Sequence, residues 1–221
     1  MNVGVVIVCA GKGKRLGNPD KAILKLRDEP LFSYAVGTFA KIKEVKQIVL
    51  VLSKRHLSIV QELIKDKRVT LIEGGRHRRD SVYNGLCALD RKIQHVLIHD
   101  GARPFVSRGV IQCILKALKK HPAVICGIKT RDTLKVINSQ RVVKKTLNRD
   151  GVVSIQTPQG FRKDLIIEAY RRAPKAPVTD DAQLVERMGE AVKVIEGDIL
   201  NFKITYPEDV CFAERLATIA K

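Results

Sequence analysis

The chain has 221 residues, of which 45% are hydrophobic and 29% charged, and this composition excludes an intrinsically disordered protein. No apolar run approaches the ~18 residues of a membrane span, and the short N-terminal apolar run lacks the preceding basic residues of a signal peptide. The five cysteines are scattered, without a C-x-x-C pair, which favours reduced thiols and no zinc site. We therefore expect a cytoplasmic globular protein without a membrane partner.

The chain carries 41 basic and 23 acidic residues, and its formal net charge of +18 raises the question of nucleic-acid binding. The charge is spread along the chain, aromatic residues make up 5% and tryptophan is absent, so side chains on which bases could stack are scarce. Attraction of a strongly anionic small substrate accounts for part of the charge, and solvated surfaces account for the rest. Nucleic acid is not the partner we expect.

The first predicted element is a buried parallel strand over Val3–Val8, which runs into the glycine-rich loop A-G-K-G-K-R-L-G. Loops at this edge of an open α/β sheet bind ligands, and Gly11 and Gly13 would let backbone N–H groups approach an anion closely. Basic residues flank these glycines: Lys12, Lys14 and Arg15. Leu16 stands where a Walker A loop and a dinucleotide-binding loop each require glycine. The spacing therefore predicts a different polyphosphate-binding loop, with a solvated basic turn as the alternative.

Strands and helices then alternate along the chain, as apolar periodicity and turn residues indicate. The predicted strands are 47–52, 68–72, 95–98 and 123–128, and the predicted helices are 31–40, 57–65, 81–89 and 108–120. Asp80 or Ser81 is the predicted cap of the third helix, and Ser107 that of the fourth. This alternation predicts an α/β fold with a doubly wound, mostly parallel sheet, formed by a single domain over residues 1–221.

The alternation breaks at 133–147, where two runs with strand periodicity flank Asn138 and Ser139 and predict an antiparallel hairpin inserted in the α/β domain. Its β-branched residues need a cover, so we predict a dimerisation arm at about 132–150, with a hairpin folded back on its own sheet as the alternative. Further on, we predict helices at 163–172, at 180–188 with Thr179 or Asp180 as cap, and from Pro207 onward. Short strands are predicted at 192–195 and 202–205.

Asp100 follows the fourth predicted strand in the segment H-D-G-A-R-P. A carboxylate beside a phosphate-binding loop suits Mg²⁺, which commonly binds one or two carboxylates together with substrate phosphates. Gly101 would let a ligand approach, and Arg103 adds a contact for an anion; an ordinary Asp-Gly turn is the alternative. The segment G-G-R-H-R-R-D-S brings more positive charge and a helix N-terminus to the same edge of the sheet.

No motif of a serine, cysteine or zinc hydrolase occurs in the chain, and none of its five histidines has the spacing of metal ligands. Phosphoryl and nucleotidyl transfer proceed by positioning and charge neutralisation, without a covalent enzyme group. A phosphate acceptor has a second pKa near ~6 and arrives ionised. Basic residues and a divalent cation would then be sufficient for catalysis.

Taken together, the motifs resemble those of the 2-C-methyl-D-erythritol 4-phosphate cytidylyltransferase family over nearly the whole chain. The resemblance rests on A-G-K-G-K-R-L-G with Lys21, G-G-x-x-R-x-D-S-V, H-D-G-A-R-P, R-D-T-L-K, T-P-Q-G-F, T-D-D-A and N-F-K-I-T-Y-P-E-D. It implies transfer of CMP from CTP to 2-C-methyl-D-erythritol 4-phosphate in non-mevalonate isoprenoid precursor synthesis, giving 4-diphosphocytidyl-2-C-methyl-D-erythritol and pyrophosphate. It also implies Mg²⁺ or another divalent cation, and a homodimer.

The resemblance also assigns site residues. The catalytic residues it implies are Arg15, Lys21 and Lys203. The CTP-binding residues it implies are Ala10, Gly11, Gly13, Gly75, Arg78, Ser81, Asp100 and Gly101, with Asp100 as the metal ligand. The residues around the acceptor are Arg103, Thr133, Arg149, Thr157, Thr179 and Lys203, with Arg149 supplied by the partner subunit. One departure is that Asp20 stands between Pro19 and Lys21, where the family often has Pro-Lys directly.

Three other functions are compatible with parts of the sequence. A cytidylyltransferase for another polyol phosphate, such as ribitol 5-phosphate, would share the CTP half of the site. A uridylyl- or guanylyltransferase of the same fold is disfavoured by the G-G-x-x-R-x-D-S segment. A basic RNA-binding protein on this fold would show steeply salt-dependent binding and no CTP turnover, and the set Arg15, Lys21, Asp100 and Lys203 argues against it.

Overall fold

The computed structural model describes residues 1–11, 13–18, 20–172 and 178–219, so Lys12 of the first basic cluster lies outside the described residues. The strands are β1 (Val3–Val8), β2 (Lys25–Leu26), β3 (Glu29–Pro30), β4 (Val45–Leu52), β5 (Val69–Glu73), β6 (His95–Asp100), β7 (Ala123–Lys129), β8 (Lys135–Ile137), β9 (Val143–Thr146), β10 (Val153–Arg162) and β11 (Lys193–Glu196). The α-helices are α1 (Leu31–Ala40), α2 (Leu57–Leu63), α3 (Arg78–Cys87), α4 (Arg108–Ala117), α5 (Lys163–Arg172), α6 (Ala182–Glu186) and α7 (Pro207–Ile219).

A seven-stranded sheet in the order β11-β7-β10-β6-β1-β4-β5 forms the centre of the fold. Strand β1 pairs in parallel with β4 and β6, and β4 in parallel with β5, so the ends of these four strands meet at one edge. Strand β10 runs antiparallel between β6 and β7. The α/β class and the mostly parallel sheet are confirmed.

Strand β10 is not among the predicted elements, because its middle reads as a loop. Polar Gln156, Thr157 and Gln159 surround Pro158 there, yet these three polar side chains are 4%, 5% and 0% exposed. Each has hydrogen-bond partners in neighbouring segments, as when Gln159 donates to Asp180 and accepts from the backbone of α6. Buried polar groups are tolerated when they are paired in this way, and only the tertiary structure supplies the pairs.

Helices cover both faces of the sheet, as the doubly wound prediction requires. Helices α1, α2 and α4 pack on one face, where Phe39 and Ile111 are fully buried. Helices α3, α5 and α6 pack on the other, around Leu86 and Ile166. Helix α7 closes a smaller apolar cluster near the first loop. Among the helices in the described ranges, none combines the length and apolar character needed to cross a membrane.

The observed elements differ from the prediction at several of their ends and at one predicted strand. Helix α3 begins earlier, with His77 as N-cap, and Asp80 accepts a hydrogen bond from the His77 N–H at 3.0 Å from within the first turn. Asp181 stands at the N-cap position of α6 without a side-chain capping bond, and the predicted cap Asp180 supplies the carboxylate that accepts from Gln183 N–H at 3.0 Å. The predicted strand at 202–205 is irregular backbone. Carboxylates close together in sequence compete for the same orphan N–H groups, so spacing alone does not select the cap. The Ser107 cap of α4 is confirmed, since its hydroxyl accepts from Val110 N–H at 3.3 Å.

The predicted hairpin is confirmed as β8 and β9, which form a separate two-stranded antiparallel sheet. It does not join the seven-stranded sheet, so the folded-back alternative is wrong. Its apolar side chains are open to solvent in the single chain, with Ile137, Val142 and Val143 at 50%, 58% and 54% exposure. Exposed apolar side chains on a short ribbon are typical of a protein interface, and the dimerisation arm stays a prediction.

Candidate active site

A cleft of about 850 Å³ opens at the carboxyl ends of β1, β4, β5 and β6. Its walls are the loops that follow these strands, together with the segment before α7. Ligands of open α/β folds bind at this edge of the sheet. The predicted site residues are therefore expected around this cleft.

The glycine-rich loop after β1 lines one side of the cleft. Gly13 and Gly17 have φ values of 59° and 68°, the left-handed region that side chains disfavour. A Cβ at Gly13 would lie 1.9 Å from the carbonyl oxygen of Asn18, so only glycine fits there. Leu16 is buried and anchors the loop in the small apolar cluster beside α7, while Arg15 stays exposed at the cleft. The loop is thus held with its polar groups toward the cleft.

Lys21 extends into the cleft from the short helical turn Lys21–Ile23, and its Nζ donates to the carbonyl oxygen of Ile204 on the opposite wall. Burial lowers the pKa of Lys21 to about 8, and repulsion from Lys203 and Arg15 adds to this effect. Asp100 opposes the shift. Three cations thus converge on one space, an arrangement that an anionic ligand would relieve.

Asp100 ends strand β6 and is almost completely buried. Its Oδ1 accepts from Nε of Arg78 at 3.0 Å, and its Oδ2 from Nζ of Lys203 at 2.6 Å. Burial by itself would raise the pKa of Asp100, but the charges of Arg78 and Lys203 outweigh burial and hold it well below its usual range. The carboxylate is therefore ionised at every physiological pH.

The donor set at Asp100 fits a divalent cation that arrives with a phosphate ligand. Within the described ranges, no group of three or more acidic, histidine or cysteine side chains lies close enough to cage a metal. One carboxylate at the cleft suits Mg²⁺, which keeps waters and takes further oxygens from substrate phosphates. Both oxygens of Asp100 are paired with basic side chains, Arg78 and Lys203. A divalent cation bound to Asp100 would therefore replace one of these two contacts.

Arg78 connects Asp100 to a second buried carboxylate that sequence reasoning did not find. Its two terminal nitrogens donate to Asp181 at 3.1 and 2.9 Å. The hydroxyl of Tyr170 donates to the same carboxylate at 2.5 Å. Burial would lower the pKa of Arg78, but Asp181 and Asp100 raise it overall. The T-D-D-A motif was the available signal, since a second Asp beside a helix start is a candidate partner for a buried arginine.

The turn after β5 approaches the first loop closely enough to form a narrow pocket. A Cβ at Gly74 would lie 2.4 Å from the Cβ of Ala10, and one at Gly75 would lie 2.3 Å from that of Asp80. The hydroxyl of Ser81 accepts from the Gly75 N–H and donates to a backbone carbonyl, both at 3.1 Å. The two glycines and the buried Ser81 therefore hold this turn in a single shape, with backbone groups facing the cleft.

Behind Asp100 lies a buried relay of hydrogen bonds. The Thr157 hydroxyl accepts from the Asp100 N–H at 3.0 Å and lies 3.1 Å from Nδ1 of His99. Nε2 of His99 donates to the carbonyl oxygen of Arg103 at 3.0 Å, so Thr157 donates to Nδ1. Burial lowers the pKa of His99 to about 4, which keeps the ring neutral. The relay fixes the backbone that carries Asp100.

The structure brings most of the predicted site residues to the cleft but not all of them. Those that line it are Ala10, Gly11, Gly13, Arg15, Lys21, Gly75, Arg78, Ser81, Asp100, Gly101 and Lys203. Those that do not line it within this chain are Arg103, Thr133, Arg149, Thr157 and Thr179. Arg103 is partly buried beside the cleft, with one nitrogen donating to the carbonyl of Asn201 at 2.7 Å. Arg149 lies at the base of the arm, where it donates to the carbonyl of Arg131.

Comparison with known proteins gives one consistent result. The family model described as IspD, 2-C-methyl-D-erythritol 4-phosphate cytidylyltransferase, matches residues 3–218. A protein of that name from Bacillus thuringiensis (strain Al Hakam) is 39% identical over 224 residues, covering 98% of both chains. A Bacillus cereus protein of the same name is 40% identical with the same coverage.

Solved structures agree with the sequence comparison. A 4-diphosphocytidyl-2C-methyl-D-erythritol synthase from Anaerococcus prevotii superposes with a TM-score of 0.89 at 35% identity, covering 98% of this chain and 96% of the other. The 2-C-methyl-D-erythritol 4-phosphate cytidylyltransferase from Thermus thermophilus has a TM-score of 0.81 at 32% identity, with 99% and 100% coverage. With its cleft, its motifs and nearly all of its length in agreement, the chain belongs to the 2-C-methyl-D-erythritol 4-phosphate cytidylyltransferase family.

Proposed function

We propose that this chain transfers CMP from CTP to 2-C-methyl-D-erythritol 4-phosphate, releasing pyrophosphate, in the non-mevalonate route to isoprenoid precursors. The observation that carries the proposal is the convergence of the glycine loop, Lys21, Lys203 and Asp100 on one cleft. An oxygen of the acceptor phosphate attacks the α-phosphorus of CTP. The new O–P bond forms as the bond to the bridging oxygen breaks, and that electron pair leaves with pyrophosphate.

Charge neutralisation is the main task of the protein in this reaction. Arg15, Lys21 and Lys203 face the space where the triphosphate would lie. Loop N–H groups near Gly11 and Gly13 add donors without a charge of their own. The acceptor phosphate is already ionised at neutral pH, so the proposal needs no general base.

We propose Asp100 as the protein ligand of Mg²⁺ or another divalent cation. When bound, such a cation supplies charge neutralisation at the phosphates. Lys203, whose Nζ lies 2.6 Å from Oδ2 of Asp100, is the cation of this chain that we propose for the acceptor phosphate. Ala10, Gly75 and Ser81 shape the proposed cytosine pocket, and Arg78 and Gly101 complete the proposed CTP side.

We propose a homodimer in which the arm of one subunit completes the site of the other. Thr133 and Arg149 flank the hairpin and do not line the cleft of their own chain, which supports their donation across an interface. Arg103, Thr157 and Thr179 complete the proposed acceptor side, with Thr157 acting through the backbone of Asp100. A cytoplasmic location is part of the same proposal, supported by five cysteines that form no disulfide.

The decisive experiment measures pyrophosphate release from CTP and Mg²⁺ with methylerythritol phosphate and ribitol phosphate as parallel acceptors. We expect release with methylerythritol phosphate alone. Release with ribitol phosphate alone would keep the CTP site and reject the acceptor. A folded protein that neither binds CTP nor releases pyrophosphate, yet binds RNA with a steep salt dependence, would reject the enzyme function altogether.

A further inference from the structure

The residue before Lys21 makes contacts that the proposed reaction does not use. Asp20 accepts a hydrogen bond at 2.9 Å from Nε2 of His56, since a carboxylate only accepts. Nδ1 of the same ring lies 2.9 Å from the hydroxyl of Ser53. Arg55 forms an ion pair with the same Asp20 oxygen at 3.1 Å. We call this set, Asp20, His56, Ser53 and Arg55, the Asp20 latch.

The latch joins two walls of the cleft that come from distant parts of the chain. Asp20 belongs to the segment that follows the glycine loop, and the other three residues lie in and beside the turn Lys54–His56, which follows β4. His56 is 3% exposed, so its ring is a fixed anchor, whereas the Asp20 side chain is 51% exposed. Ser53 and Arg55 themselves line the cleft. A buried ring thus holds an exposed carboxylate in place.

The charge of Lys21 lies in surroundings that oppose it, so its position depends on the contacts that hold it. It is partly desolvated, and Arg15 and Lys203 repel it. The tip of the Lys21 side chain is held by the hydrogen bond from Nζ to the Ile204 carbonyl. The backbone of Lys21 is held through the adjoining Asp20, which the latch links to the connection between β4 and α2.

We propose that the Asp20 latch is a positioning device that holds Lys21 where the proposed transition-state charge develops. The inference rests on the proposed nucleotidyl transfer and adds a residue to it that touches no substrate. Positioning of a charge before the reaction costs no reorganisation during it, and a misplacement of about 1 Å lowers the rate by up to about a hundredfold. The latch therefore acts on kcat through Lys21, and little on the binding of CTP.

The test is a double-mutant cycle between Asp20→Ala and Lys21→Ala, with kcat and KM for CTP measured for each protein. We expect Asp20→Ala to lower kcat about tenfold or more and to change KM by less than about threefold. In the Lys21→Ala background we expect Asp20→Ala to lower kcat less than about twofold, because the group it positions is gone. Equal losses in both backgrounds, or no loss in either, would overturn the proposal.

Conservative variants separate positioning from folding. Asp20→Asn keeps a side-chain oxygen that accepts the 2.9 Å hydrogen bond, and His56→Gln keeps a side-chain N–H that donates it. For each variant we expect kcat within about threefold of that of the unmodified protein. Losses as large as that of Asp20→Ala would reject the link through His56. Asp66→Ala is the matched control, since Asp66 pairs with Arg68 at 2.7 Å and lines no part of the cleft, and it should leave kcat unchanged.

A measurement that needs no catalytic turnover tests the latch independently of the proposed function. Amide hydrogen exchange should become faster in residues 13–18 and 20–21 of Asp20→Ala, and not in Asp66→Ala. Unchanged exchange in that loop would overturn the latch even if the protein is an active cytidylyltransferase. Faster exchange in a protein that releases no pyrophosphate with any acceptor would instead reject the function and keep the latch as a structural device.

Discussion

At the scale of single residues, Lys21 carries a charge in a place that disfavours it. Burial and the neighbouring Lys203 and Arg15 lower its pKa from 10.5 to about 8. Because this pKa is lower in the folded state than in the unfolded chain, the protonated lysine destabilises the free protein below pH 8, and that cost disappears as the pH rises toward 10.5. Sites that hold charge ready for a ligand commonly sacrifice stability in this way.

The shifted pKa predicts the pH dependence of the reaction. As the pH rises through about 8, Lys21 loses the proton whose charge the triphosphate needs, so kcat/KM for CTP should fall there. Lys21→Arg keeps its charge, and whatever activity it retains should persist to higher pH. Steady-state kinetics between about pH 6 and 10 measure both, with circular dichroism at each pH as the folding control. A decline at the same pH in both proteins would assign it to another group.

At the scale of elements, the buried carboxylate of Asp181 joins the start of α3 to α5 and α6. Arg78 opens α3, Tyr170 lies in α5, and Asp181 directly precedes α6. Asp181 is 1% exposed and receives hydrogen bonds from both. A buried carboxylate with two donors fixes the angle at which these three helices meet, and so the direction in which Arg78 faces Asp100.

Removal of that carboxylate should be costly for the fold. We expect Asp181→Ala to destabilise the protein by about 3 kcal/mol, because Arg78 and Tyr170 lose their partner inside the protein. Asp164→Ala removes an ion pair with Arg162 in which Nε and Oδ1 are 2.7 Å apart and both side chains are exposed. Its loss should cost about 0–1 kcal/mol. Urea denaturation of the two variants measures the difference. Similar midpoints for both would show that the pair with Arg78 contributes no more than a surface contact.

At the scale of the whole molecule, the cleft of one chain contains the proposed CTP residues but lacks some of those proposed for the acceptor. Thr133 and Arg149 flank the arm and not the cleft. The arm itself exposes Ile137, Val142 and Val143, each at least half open to solvent. The proposed homodimer would account both for the exposed apolar ribbon and for the acceptor residues that lie outside the cleft of their own chain.

A shared site predicts complementation between inactive proteins. Lys21→Ala and Arg149→Ala subunits should each be nearly inactive alone, while an equimolar mixture refolded together should regain about a quarter of the sites, because half of the dimers carry one intact site of two. Pyrophosphate release and sedimentation of the mixture measure this. Lack of recovery in mixed dimers, or a monomer at working concentration, would contradict the shared site.

Many features of the fold follow from local sequence. The strand Val3–Val8, the glycines of the first loop and the position of Asp100 at the end of β6 are all readable, because apolar runs, turn residues and strand ends are short-range signals. The hairpin at 135–146 is readable for the same reason. These signals also bring Asp100 and the glycine loop to one edge, since parallel strands share it.

Other features depend on partners that are distant in the chain. Lys21 meets the Ile204 carbonyl across 183 residues, and Arg78 meets Asp181 across 103. Strand β10 is hidden in the sequence because its buried polar side chains find their partners only in the assembled fold. The sequence by itself determined the α/β class, the strands and loops that carry the site, and the chemistry at the edge of the sheet. Only the tertiary structure decided which charges are paired, because pairing requires long-range packing to close the loops between them.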